Sequence, residues 1–81
     1  MNEVLDISHF LFNELTARGL SVSKRIHPTS VFFTIKQNGK TVANIRVMPE
    51  EKILDYNYWK YYQIGTMKTA RKFLNEFPGS N

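Results

Sequence analysis

Apolar residues recur every three or four positions near the start of the chain. Val4, Ile7, Leu11 and Leu15 form one stripe, and Phe10 and Phe12 widen it. That spacing predicts an amphipathic helix over about 3–18, deeply packed along its apolar side. Asn2 is a suitable N-cap and Glu3 suits the positive end of the helix dipole. Gly19 stands where a left-handed residue ends a helix. From Leu20 to His27 the period shifts to two, with Val22 and Ile26 on one side and Lys24 between them. This reads as an edge strand, where an inward-leaning Lys discourages pairing with another chain. Pro28-Thr29-Ser30 then turns the chain.

The strongest strand pattern runs from Val31 to Lys36. Val31, Phe33 and Ile35 point one way, and Phe32, Thr34 and Lys36 the other. In the next segment Thr41, Ala43, Ile45 and Val47 alternate with Val42, Asn44 and Arg46, and Asn38-Gly39 between the two is a hairpin signal. Register decides the loop. A two-residue turn pairs Lys36 with Thr41 and, carried along the strands, Phe33 with Asn44 and Val31 with Arg46. A three-residue loop, Gln37-Asn38-Gly39 with Gly39 left-handed, pairs Lys36 with Lys40, Phe33 with Ala43 and Val31 with Ile45. The three-residue loop is expected, because both strands then bury one face. In that register Phe32, Thr34, Lys36, Lys40, Val42, Asn44 and Arg46 share the outer face.

Pro49 ends the third strand. The run Tyr56-Asn57-Tyr58-Trp59-Lys60-Tyr61-Tyr62 holds all four tyrosines and the only tryptophan. These residues favour strands, so a fourth strand is one reading, and a short helix or ordered loop over 49–55 precedes it in another. Gly65-Thr66 opens a final helix with Thr66 as N-cap. Met67, Ala70, Phe73, Leu74 and Phe77 form its buried stripe, and Pro78-Gly79 stops it. The expectation is one α+β domain over 1–77 with a flexible tail at 78–81. It has two layers: an antiparallel sheet, with both helices on one face because each offers a single apolar stripe.

Composition adds limits. The 81 residues are 42% apolar and 22% charged, ordinary for a soluble globular chain and unlike a collagen-like, low-complexity or wholly disordered one. The absence of cysteine removes disulfides and thiolate chemistry. The apolar stretch 4–15 is broken by Asp6, Ser8, His9, Asn13 and Glu14, and the N-terminus is acidic. Neither a membrane span nor a secretory leader is expected, and a cytoplasmic location is the simplest reading. The glycines at 19, 39, 65 and 79 make no phosphate loop. His9 and His27 lie in different elements, His9 as a rim residue and His27 as a turn residue. For His27 a phosphate or base contact is the sharper alternative. Glu50 and Glu51 are adjacent and point apart. An enzyme, a cofactor and a metal site are therefore not expected.

Charge is more informative. The formal net charge is +4. Between Glu14 and Glu50 there is no acid, while Arg18, Lys24, Arg25, Lys36, Lys40 and Arg46 fall there, a local net of +6. Lys60, Lys68, Arg71 and Lys72 repeat the bias later in the chain. The plain reading is a solubilising surface. The sharper one is a phosphate-facing patch, with Lys36, Lys40, Arg46, Lys68, Arg71 and Lys72 as contacts and Phe32 as a base-stacking ring. Alternatively Tyr58, Trp59 or Tyr61 folds back over Phe32 and makes a second small core. A competing function is a protein-interaction module, a homodimer or small inhibitor or adaptor, using Tyr56, Tyr58, Trp59 and Tyr61.

The helix, three strands, helix order, with Gly65-Thr66-Met67-Lys68-Thr69-Ala70-Arg71-Lys72 opening the last helix, resembles the double-stranded-RNA-binding domain. His27-Pro28 sits near where that family's loop carries a His. The resemblance implies groove or phosphate contacts from Lys68, Arg71 and His27. It covers element order and this short basic stretch; the aromatic-rich 48–64 has no counterpart in that family.

Overall fold

A computed structural model of the chain describes residues 2–52, 57–58 and 61–77. Helix α1 (Asn2–Ala17) precedes three strands, β1 (Ser21–Ile26), β2 (Val31–Gln37) and β3 (Lys40–Val47). A 3-10 turn at Glu50–Lys52 follows. Then come β4 (Asn57–Tyr58), β5 (Tyr61–Ile64) and helix α2 (Met67–Glu76). The strands form one sheet in the order β1-β2-β3-β5-β4. The expected tail at 78–81 lies outside the described residues.

Each helix ends for a stated reason. After Ala17 the Leu20 N–H donates to Leu15 O at 3.3 Å and the Gly19 N–H to Thr16 O at 3.0 Å. That pair of bonds is a Schellman ending, and it needs the left-handed backbone that Gly19 supplies at φ 83°. Leu15 and Leu20, which bracket the ending, are both buried in the core. At the other helix Thr66 is extended, and its Oγ1 accepts from the Thr69 N–H at 3.0 Å, as the N-cap position predicts.

Both helices cover the same side of the sheet. Phe12 of α1 lies 6.4 Å from Phe33, and Phe73 of α2 packs edge-on against Tyr62 at 4.9 Å. Between the layers Val4, Ile7, Leu11 and Leu15 meet Val31, Phe33, Ile35, Ala43, Ile45 and Val47, joined by Ile64, Ala70 and Leu74. The two-layer α+β arrangement thus follows from one apolar stripe per helix and one apolar face per strand. No helix among the described residues is long and apolar enough to cross a membrane.

Two features differ from expectation. The hairpin loop is the two-residue turn, not the three-residue one: Asn38 (φ 54°) and Gly39 (φ 80°) are both left-handed, as a type I′ turn requires. Lys36 then faces Thr41, a register that misaligns the apolar faces if the strands continue in phase. A bulge restores it. Pairing passes from Lys36↔Thr41 to Ile35↔Ala43, which leaves Val42 unpaired, and Phe33 then meets Ile45 and Val31 meets Val47. Val42 is half-buried against the core instead of joining the outer face. Thr41 takes the outer position beside Lys36, and Lys40 pairs with Gln37.

The sheet is also mixed. β5 runs parallel to β3, with Ile45 beside Tyr62 and Val47 beside Ile64. β1 and β3 already occupy both sides of β2, so β3 has the free edge. The chain between Val47 and Tyr61 is long enough for the crossover of about a dozen residues that a parallel pair needs. Its register is set by burial. A slip of one residue would send Gln63 into the core in place of Ile64.

Candidate nucleic-acid interface

The side of the sheet away from the helices is built by alternation. Phe32 and Thr34 from β2 stand beside Arg25 and Ser23 from β1. On the other side they face Arg46 and Asn44 from β3, which in turn adjoin Gln63 and Tyr61 of β5. None of these positions is acidic.

Phe32 is the centre of this face and is half-buried. The guanidinium of Arg46 lies 5.1 Å from its ring centroid and that of Arg25 5.9 Å. His27 approaches the same ring at 5.4 Å and Tyr61 at 6.5 Å, both edge-on. Two cations over one ring gain cation–π attraction, but they repel each other. No carboxylate among the described residues pairs with either guanidinium. Arg46 Nε makes a long 3.4 Å contact to the Oγ of buried Ser30. Thr34 Oγ1 donates to Asn44 Oδ1 at 3.3 Å, which leaves the Asn44 amide hydrogens unpartnered among the described residues. Gln63 Oε1 is buried without a donor among the described residues.

The residues singled out from sequence fall into separate groups. Phe32 and Arg46 come together on the outer face, and Tyr61 joins them there. Lys36 is exposed beside Ser21 and Thr41, at the hairpin end of the same face. Lys40 is exposed at the hairpin tip. Lys68 and Lys72 belong to the helix layer, on the far side of the sheet. With Glu50, Gly65, Thr66 and Thr69 they line an open depression at the start of α2. Arg71 is on that layer too, with its guanidinium 5.8 Å from the Phe10 ring of α1. Tyr58 stands opposite Tyr61 in the β4–β5 ladder. Tyr56 and Trp59 lie outside the described residues.

Sequence reasoning missed Arg25 as an outer-face residue. The signal was present: once Val22 and Ile26 face the helices, alternation sends Arg25 outward. Lys24, on the inner parity, lies with its Nζ 5.2 Å from the Phe12 ring, the inward lean expected of an edge-strand Lys. Arg18, part of the acid-free span, is occupied elsewhere. Its Nη1 donates to Leu74 O at 2.9 Å and to Phe77 O at 3.1 Å, the orphan carbonyls at the end of α2.

Among the described residues no three His, Cys, Asp or Glu side chains gather as a metal site. Comparison of the chain with protein-family models, curated proteins and solved structures finds no match in any of the three. The element order on which the likeness to the double-stranded-RNA-binding domain rests is interrupted by β4 and β5, which stand between β3 and α2. His27, which that likeness would group with Lys68 and Arg71, packs against Phe32 on the other side of the sheet.

Proposed function

We propose that this chain is a small nucleic-acid-binding module whose working surface is the outer face of the sheet. The observation that carries the reading is the pair of guanidinium groups, Arg25 and Arg46, over the Phe32 ring with no carboxylate paired to them among the described residues. A polyanion supplies the missing counter-charge and a base supplies an aromatic surface, so both halves of the ligand have a partner. Arg25, Lys36 and Arg46 are the phosphate contacts. Lys68, Arg71 and Lys72 lie on the other layer and do not take part in the same footprint.

With three such cations the logarithm of the binding constant falls against the logarithm of salt with a slope of about −2 to −3. An anisotropy titration with labelled DNA and RNA oligonucleotides, at several salt concentrations from about 50 mM upward, measures this directly. Absence of binding to all of them at the lowest salt and tens of micromolar protein refutes the reading.

A protein-interaction role has one observation in its favour: β1 is the edge of the sheet, and Ile26 on it is 68% exposed. Against it, Lys24 leans inward on that edge, a device that resists strand addition. Light scattering separates the two readings, since a homodimer through β1 doubles the mass in the absence of nucleic acid.

A further inference from the structure

Phe32 lies in β2, with a hydrogen-bonded strand on either side. A half-buried ring with a paired strand on either side is open to a ligand only from the outer face of the sheet. Bases inside a duplex are stacked on one another between two backbones and offer no face to such a ring; an unpaired base does. Tyr61 adds a second ring across β3, 6.5 Å away and tilted by 69°. Asn44 on β3, beside Tyr61, has amide hydrogens with no partner among the described residues, and they would meet a base edge. The guanidinium groups sit on long flexible stems. When a base takes the place over Phe32, they are free to swing to the flanking phosphates.

We infer that the outer face binds unpaired nucleotides, with one base stacked on Phe32 and the phosphates on either side held by Arg25 and Arg46. This rests on the reading of that face as the nucleic-acid surface. The recognised chemistry is an aromatic base next to a phosphodiester, common to single-stranded DNA and RNA.

The test compares labelled 12-nucleotide single strands, DNA and RNA, with duplexes of the same sequence, by anisotropy at low salt. The wild-type protein is expected to bind at least one single strand about tenfold or more tightly than either duplex. That comparison needs no variant, so it stands even where a substitution unfolds the chain. Phe32→Leu is expected to lose about tenfold for the single strand, with its salt slope unchanged, and Phe32→Tyr to restore it. Duplex binding as tight as single-strand binding overturns the inference while leaving the nucleic-acid reading intact. So does a folded Phe32→Leu variant that binds like wild type. Failure of every oligonucleotide to bind removes both.

Discussion

Arg46 and Arg25 approach the same ring but are not equivalent, and replacing each with alanine separates what the ring contacts do for stability from what they do for binding. Arg46 is half-buried and 5.1 Å from the Phe32 centroid, whereas Arg25 is exposed and 5.9 Å away, at the edge of cation–π range. A partly desolvated guanidinium over a phenyl ring is worth about 0.5–2 kcal/mol, and its aliphatic stem adds packing. The 3.4 Å contact to Ser30 Oγ is too long to add much. Arg46→Ala should therefore cost about 1 kcal/mol, which for a domain of this size lowers the Tm by about 4–8 °C. Arg25→Ala, an exposed substitution, should cost less than about 0.5 kcal/mol. In binding the order disappears. Each variant removes one phosphate-neutralising cation, so each should weaken oligonucleotide binding and flatten the salt slope by about 0.7–0.9. Differential scanning fluorimetry and salt-dependent anisotropy on the same preparations give both quantities. Melting curves for Arg46→Ala that superimpose on wild type would refute the packing argument. Unchanged salt slopes in both variants would refute the placing of phosphates on this face.

Arg18→Ala should cost about 1–2 kcal/mol, because it strips the donor from the Leu74 and Phe77 carbonyls at the negative end of α2. Urea unfolding should show a lower midpoint at unchanged m-value, and an unshifted midpoint would mean that water replaces the guanidinium without loss. Gln63→Met removes a buried oxygen that lacks a donor while keeping the side-chain volume. Its Tm should stay level or rise, and a fall equivalent to more than about 1 kcal/mol would show that the oxygen has a partner after all.

How much of this was legible in the sequence depends on whether the deciding interaction is local. Val4, Ile7, Leu11 and Leu15 mark α1 because a 3.6-residue period is a local signal. Gly19 and Thr66 mark helix ends because their chemistry acts within four residues. The hairpin loop differs from expectation for a subtler reason: the two strands do bury one face, but they do not stay in phase to do so. A bulge at Val42 lets the Asn38-Gly39 turn keep its preferred type I′ geometry and still bring Phe33 to Ile45. The parallel β3–β5 pair is non-local. Nothing in the residues 61–64 says which edge they join, and only the fit of Tyr62 and Ile64 against Ile45 and Val47 decides it. The candidate site inherits both limits. Phe32 and Arg46 were readable by alternation within one hairpin, whereas their meeting with Tyr61 needed the crossover.

The charge map illustrates the same limit from the side of function. In the sequence the basic residues of 15–49 and of 60–72 look like one continuous bias, yet the described ones reach two faces that no flat ligand spans. On the helix side three cations are matched to a local task, while Lys68 and Lys72 line the depression that also holds Glu50. Lys24 covers Phe12, Arg71 covers Phe10, and Arg18 caps α2. One cation on one rim ring shields an apolar edge from water and leaves no excess to explain. On the outer face the ratio is reversed. One ring, Phe32, gathers two guanidinium groups, with His27 beside them and no acid among the neighbouring outer-face positions. For shielding a half-buried ring one guanidinium suffices, and the second brings repulsion. The arrangement lacks a counter-charge among the described residues, and the proposed polyanion would supply it. What distinguishes the outer face is thus not its number of positive charges but that no described carboxylate pairs with them around an aromatic surface, and this is what supports the proposal of a nucleic-acid ligand over a merely solubilising surface.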